Sequence, residues 1–220
     1  MLDNKAVATV AGLLIVGSVS ALVFCVSGGF GPRLEPGPFR EAGRVLAQQA
    51  LAQLKPGGAL TVITRDTAAF QNPASDVLLG SFQKELKKNG AKVDSSQSIA
   101  VDPLRPVSVP AGDFLQWIKN SPKGSVIVSF MGPPMLSDSQ LAQLGEVKPA
   151  IIALCSGPVR EQVDLRTLFA HGLLRGAVVT RNPAPAQNAP PSNDRDAFDR
   201  QFVSVTANNL AALTTSSAPQ

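Results

Sequence analysis

The sequence predicts an α/β protein in which a single transmembrane helix precedes a five-stranded, mostly parallel sheet with helices on both faces. Between residues 59 and 181, short β-branched runs alternate with helical patterns, which is typical of βαβ units. Several of these runs are apolar almost throughout, as strands buried on both faces are. An uncharged apolar run near the amino terminus predicts the membrane helix. Together they indicate a flavodoxin-like three-layer sandwich on an anchor.

The composition is that of a globular chain with a substantial core. The chain has 220 residues, of which 44% are hydrophobic, and its net charge of +4 comes from 20 Lys and Arg against 16 Asp and Glu. The basic residues are scattered along the chain, tyrosine is absent and there is one tryptophan. Nucleic-acid binding needs clustered positive charge and aromatic stacking positions, so we do not expect a nucleic-acid partner.

The amino-terminal segment is predicted to be a single-pass anchor over residues 1–27. Residues 6–26 form an apolar run that is long enough, as a helix, to cross about 30 Å of hydrocarbon. The predicted membrane-spanning positions include Ala6, Leu13, Val16, Leu22 and Val26. A cleaved signal peptide is the alternative, but it would have a shorter apolar region and a more basic start. Charge counts leave the orientation open, and the layout favours an extracytoplasmic domain.

The remaining elements follow in order. Residues 28–56 are predicted to be a Gly/Pro-rich linker and a helix that begins near Pro38 and ends at the sequence KPGG. Within an α/β domain over residues 57–182, we predict strands over 59–64, 91–101, 124–130, 149–155 and 175–181, and helices over 72–90, 111–121, 137–145 and 163–172. Residues 183–220 are predicted to be a Pro-rich extension with a docking helix over 196–213.

Candidate ligand-binding residues follow the predicted strands, because ligands of open parallel sheets bind at the carboxyl ends of the strands. On this basis we select Arg65, Asp66, Met131, Ser156 and Arg181. Arg65 and Arg181 could together hold an anion. The alternative is that these arginines are solvated and paired with nearby carboxylates.

The sequence CSGP places Cys155 at a strand end, where a nucleophile could stand. A catalytic cysteine needs a base within hydrogen-bond reach, and the single histidine, His171, ends a predicted helix at the opposite edge of the sheet. We therefore expect Cys155 to be a buried apolar side chain and the protein not to be an enzyme. Glycine-rich phosphate motifs and clustered metal ligands are absent from the sequence, so no catalytic residue, metal or cofactor is predicted.

Residues 58–181 resemble one lobe of the periplasmic sugar-binding-protein-like superfamily. The resemblance lies in GALTVITRD, in KGSVIVSFMGPP and in KPAIIALCSGP, where strands end in short Pro/Gly turns. It implies a flavodoxin-like sheet. A complete binding protein of that superfamily closes two lobes around its ligand, and this chain has residues for one.

Two hypotheses about function follow. The first is a membrane-anchored, non-catalytic accessory or scaffolding subunit of a larger membrane protein complex, whose partners are other subunits and the lipid bilayer. In it the α/β domain makes protein–protein contacts. The alternative is a tethered solute-binding or sensing domain that holds a small-molecule ligand at the carboxyl ends of the strands. The long extension and the anchor favour the first hypothesis.

Overall fold

The computed structural model describes residues 34–67, 72–100, 108–145, 148–156, 164–181 and 189–210. The predicted transmembrane segment, with Ala6, Leu13, Val16, Leu22 and Val26, lies outside the described residues. Within those ranges, none of the helices combines the length and the apolar character needed to cross a bilayer.

The elements belong to the unit that begins at Pro36. The described helices are α1 (Pro36–Gln53), α2 (Pro73–Lys88), α3 (Ala111–Asn120), α4 (Asp138–Ala142), α5 (Leu165–Ala170) and α6 (Asp194–Gln201). The strands are β1 (Leu60–Arg65), β2 (Ser95–Ile99), β3 (Val126–Ser129), β4 (Ala150–Cys155), β5 (Leu174–Thr180) and β6 (Phe202–Thr206).

The strands form one sheet in the order β2-β1-β3-β4-β5-β6. Neighbouring strands from β2 to β5 are parallel, and β6 pairs antiparallel with β5. The first five strands have the 2-1-3-4-5 order of doubly wound flavodoxin-like folds, in which the chain changes direction between β1 and β3. The predicted α/β fold with a mostly parallel sheet is therefore confirmed.

The sixth strand corrects the prediction of five. We predicted one helix over residues 196–213, but α6 ends at Gln201 and the chain continues as β6. Helical and strand spacing are hard to distinguish in a short apolar run, and the sequence FVSVT is rich in β-branched residues. Pairing with β5 also satisfies backbone groups that would otherwise face the edge of the sheet.

The core has two layers, one on each face of the sheet. α1, α2 and α6 pack on one face, where Phe82 and Phe198 are fully buried. α3, α4 and α5 pack on the other face, around the fully buried Phe114. Helices on both faces explain why the central strands are apolar throughout, since neither side of these strands faces water.

The crossing of α1 and α2 is unusually close at Gly43. A Cβ atom at this position would lie 2.2 Å from the carbonyl oxygen of Leu78 in α2. Glycine therefore lets the two backbones meet, and this contact sets the position of α2 over the sheet.

Ion pairs attach α6 to α1. Glu41 is 6% exposed and accepts hydrogen bonds from Arg44, with an Nη2–Oε1 distance of 2.5 Å, and from Arg195 at 3.4 Å. The Arg44 guanidinium holds the pKa of the Glu41 carboxyl below its usual value, and Arg195 lowers it further. A second pair joins Arg40 to Asp194 at the start of α6.

Candidate functional site

A cleft of about 290 Å³ opens beside the carboxyl end of β1. The end of β1 lines it with Thr64, Arg65 and Asp66, and the neighbouring strand β2 contributes Ser96 and Ser98. The cleft adjoins the point between β1 and β3 where the chain changes direction. In doubly wound sheets the diverging loops leave a crevice at this point, which is where ligands bind.

The amino-terminal turn of α2 forms one side of the cleft. Asn72 caps the helix, because its side chain accepts a hydrogen bond from the Ser75 N–H at 3.3 Å, and Pro73 occupies the first turn. Ser75 and Asp76 line the cleft from this turn. The helix therefore starts at the cleft and directs the positive end of its dipole there.

Arg65 carries the unsatisfied polar group of the cleft. Its side chain is half-buried, and its Nε is buried with no hydrogen-bond partner among the residues that the structure describes. A buried donor without a partner costs about 1–3 kcal/mol, so such groups are normally paired with protein, water or ligand. Arg65 thus combines a buried donor that lacks a partner in the described residues with a place in the lining of the cleft.

Four residues of the lining form an apolar wall. Leu78 is buried, and Leu79, Phe130 and Leu154 are partly buried and pack on the α1–α2 side of the core. The Phe130 ring packs edge-on against Phe82, with a centroid distance of 5.3 Å. This wall belongs to the packed core and gives the cleft a fixed shape.

The structure brings Arg65 and Asp66 together in the cleft but not the other three predicted residues. Met131 is 6% exposed and belongs to the core on the opposite face of the sheet. Ser156 is exposed after β4 and is not part of the lining. The Nε of Arg181 donates to the Phe202 carbonyl at 3.0 Å, which holds the start of β6.

The anion site considered for Arg65 and Arg181 together is not formed. Their strands, β1 and β5, are separated by β3 and β4. Three strand spacings of about 4.8 Å place the two strands roughly 14 Å apart. The order of the strands in the sheet, which cannot be read from the sequence, keeps the two arginines too far apart to hold one anion.

Sequence reasoning selected two of the eight polar residues that line the cleft, Arg65 and Asp66. Ser75 and Asp76 lie on the helix after β1, and a crossover helix begins at the same edge of the sheet where the strand ends. The position of the crossover helix could therefore have identified Ser75 and Asp76 as lining residues. Ser96 and Ser98 alternate along β2 and therefore point to the same face, which is a period-two signal that the sequence contains.

The chemistry expected at Cys155 agrees with the structure. The residue is fully buried, and burial raises the pKa of its thiol to about 12, so the nucleophilic thiolate does not form near neutral pH. His171 is exposed at the carboxyl end of α5. In the described part of the chain, no group of three or more His, Cys, Asp or Glu side chains could hold a metal ion.

Comparison with known proteins identifies the fold. No family model and no curated protein matches the chain. Among solved structures, a periplasmic ribose ABC transporter protein from Conexibacter woesei matches 81% of this chain with a TM-score of 0.50 and 10% identity. A candidate LacI transcriptional regulator from Bacteroides fragilis matches 79% with a TM-score of 0.50 and 8% identity.

The chain spans 60% of the first of these structures and 61% of the second. At such low identity the matches concern the fold and nothing finer. They agree with the resemblance seen in the strands and their Pro/Gly turns. The described domain therefore shares its α/β fold with these two structures.

Proposed function

We propose that this domain binds or senses a small solute in the cleft at the carboxyl end of β1. The observation that carries the proposal is the cleft itself, which is lined by Arg65, a residue whose buried Nε has no hydrogen-bond partner in the described residues. Buried donors are normally paired, so a donor that the described residues leave unpaired is consistent with a ligand site.

Three properties of the cleft support the proposal. It lies beside the switch point of a doubly wound sheet, where such folds bind ligands. Its volume of about 290 Å³ suits a small molecule. It also combines an apolar wall with a few convergent polar groups, the usual composition of small-molecule sites. The solved structures of similar fold include a periplasmic transporter component, so we further propose that the domain is extracytoplasmic.

The second candidate function is the membrane-anchored accessory subunit, without catalytic activity. The observation that favours it is the apolar run over residues 6–26. A tethered solute-binding domain accounts for the same run, because the anchor would hold the sensor at the membrane. The cleft is needed only by a solute-binding domain, and for this reason we place solute binding first.

A thermal-shift screen of the full chain in mild detergent tests solute binding. A ligand at about 100 times its Kd should add about 2.7 kcal/mol of stability and raise the Tm by roughly 5–10 °C. Ser98→Trp, which fills the cleft, should abolish the shift. Ser139→Trp, at an exposed serine of α4 on the opposite face, should retain it. Equal shifts in both variants would place binding elsewhere.

Native electrophoresis of the same preparation separates the two candidates. A solute-binding domain should migrate as a monomer or dimer and respond to ligand. An accessory subunit should migrate with larger membrane proteins and show no shift with any small molecule. Co-migration without a ligand response would favour the accessory subunit.

A further inference from the structure

We infer that two copies of this chain pair through the β2 edge of the sheet, with β2 of one copy antiparallel to β2 of the other. A two-fold axis relates the copies, as it does in most homodimers. The inference goes beyond the proposed function and does not depend on it. It rests on the outer backbone groups of β2, on the uncharged sequence of this strand and on the charges along α2.

The outer side of β2 carries backbone groups that have no strand partner in the described residues. β2 is the first strand of the sheet and pairs there with β1. The Asp66 N–H donates to the Ile99 carbonyl at 2.8 Å, so this carbonyl faces β1. Alternate residues of a parallel strand bond to the same neighbour. The N–H and C=O groups of Ser96 and Ser98 therefore point outwards.

β2 lacks features that commonly protect an edge strand, which are charged side chains, proline and bulges. The sequence SSQSI contains neither charge nor proline, and its register with β1 runs without a shift. Asp94, just before the strand, both donates to Leu60 and accepts from it, so its hydrogen bonds are directed to β1. The other edge differs, because the Asn209 side chain bonds the backbone of β6 at Ser204 and Thr206.

A two-fold axis at Gln97 defines the pairing. Gln97 then lies opposite Gln97 of the second copy, and Ser96 lies opposite Ser98. Each of the two Ser96–Ser98 pairs would exchange two backbone hydrogen bonds, because the backbone groups of both residues point outwards. Asp94 would lie opposite Ala100, so no like charges oppose each other across this strand pair. Since Ser96 and Ser98 line the cleft, the clefts of the two copies would adjoin at the axis.

The helix nearest this edge is α2. α1 packs over β3, β4 and β5, and α2 lies beside α1, over β1 and β2. A helix centred between β1 and β2 lies two strand spacings, or roughly 10 Å, from its copy across the two-fold axis. Helices pack at about 8–10 Å, so the continued sheet would bring the two α2 helices into antiparallel contact.

The charges of α2 suit an antiparallel copy. Lys84 lines a groove shared with α1, whereas Asp76 lines the cleft on the β2 side of the helix. Gln83 and Lys87 follow Asp76 two and three turns further along and therefore share its side, and all three are exposed. This side is acidic in the first turn and basic in the last. In the antiparallel pair, Asp76 of each copy lies towards Lys87 of the other.

Disulfide cross-linking of the full chain in mild detergent tests the register. In a Cys25→Ala background, Gln97→Cys should form a covalent dimer with an added oxidant, because opposite residues of an antiparallel pair have Cα atoms about 4.5–5.5 Å apart. Ser95→Cys is the matched control, since the two copies of this residue would be about 13 Å apart and should not cross-link. Cys155 is buried and should not contribute. Equal cross-linking of the two variants, or none in Gln97→Cys, would overturn the pairing.

Charge reversal on α2 gives a second test, measured by sedimentation equilibrium. Asp76→Lys and Lys87→Asp should each weaken the dimer about tenfold, because each brings like charges together twice across the axis. The Asp76→Lys/Lys87→Asp double variant should restore the dimer, and Lys84→Asp, on the α1 side, should leave it unchanged. A monomeric wild-type chain, or a double variant as weak as the single ones, would refute the inference. Solute binding would survive that result, because its thermal shift does not require a dimer.

Discussion

Replacing Gly43 with alanine should destabilise the domain, whereas the same replacement at Gly80 should stabilise it. Both glycines lie in helices, so alanine gains about 1 kcal/mol of helix propensity at each. At Gly80 the new Cβ meets nothing within 4 Å, and this gain should appear as about 0.5–1 kcal/mol of added stability. At Gly43 the Cβ meets the Leu78 carbonyl oxygen at 2.2 Å.

The cost at Gly43 follows from that distance. Ordinary contacts of a Cβ atom begin at 3.4 Å, so α2 must move by about 1 Å, and a backbone oxygen cannot rotate away as a side chain can. Overpacking costs about 1–3 kcal/mol, and a backbone clash belongs at the upper end of that range. Subtracting the helix propensity leaves a net loss of about 2 kcal/mol, or a Tm about 4–8 °C lower.

Chemical and thermal unfolding followed by circular dichroism would measure both effects. The comparison with Gly80→Ala removes the contribution of helix propensity. Because Leu78 and Leu79 line the cleft, Gly43→Ala should also weaken ligand binding, and Gly80→Ala should not. The argument is wrong if Gly43→Ala is as stable as the Gly80 variant, because α1 and α2 would then not meet at Gly43.

Three other predictions follow from the described contacts. The pKa of Glu41 is lowered in the folded state, so its ion pairs stabilise the fold above the unfolded pKa near 4.5 and lose this effect as the pH falls through the folded pKa. Arg44→Met should therefore cost about 1–2 kcal/mol at pH 7 and progressively less as the pH falls through the folded pKa of Glu41, as measured by urea unfolding across an acidic pH series. A cost that does not change with pH would contradict the ion-pair argument. In a Cys25→Ala background, the Cys155 thiol of native protein should react with an aromatic disulfide reagent at pH 8 far more slowly than that of unfolded protein. The reason is that a thiol of pKa about 12 is only about one part in ten thousand ionised at pH 8. Rapid labelling of native protein would disprove burial of Cys155. On the edge strand β6, the Asn209 Oδ1 accepts a hydrogen bond from the Thr206 N–H at 2.6 Å, and the Asn209 Nδ2 donates to the Ser204 carbonyl at 2.9 Å. Asn209→Ala should therefore cost about 1–2 kcal/mol of stability and promote self-association in sedimentation experiments. An unchanged Tm and unchanged sedimentation would show that these two hydrogen bonds are dispensable.

Local patterns in the sequence predicted most of the individual elements. Strand β4 reads as AIIALC because a strand that is buried on both faces must be apolar throughout. α2 was recognisable from the spacing of Leu78, Phe82 and Leu86 and from the asparagine and proline at its start. Strand β6 was not recognisable, because the spacing of its apolar residues also fits a helix and the free edge of β5 decides between the two.

The candidate site was predictable only in part. The rule that ligands bind at strand ends selected Arg65 and Asp66, which line the cleft, but it could not rank five strand ends against each other. Met131 follows β3, yet its side chain turns into the core on the other face. Phe130, its neighbour, lines the cleft. Neighbouring residues of an extended chain point to opposite faces of the sheet, so a shift of one position moves a side chain from the cleft to the other face. The backbone of the folded protein decides which of the two residues points into the cleft.

The sequence alone determined that this is an α/β protein, because the period of its apolar residues reflects contacts within single helices and strands. It also determined that Cys155 has no histidine partner. Tertiary structure decided the order of the strands, the separation of Arg65 from Arg181 and the meeting of Arg65 with Ser75, Asp76 and the serines of β2. These depend on contacts between residues far apart in the chain, which no local pattern encodes.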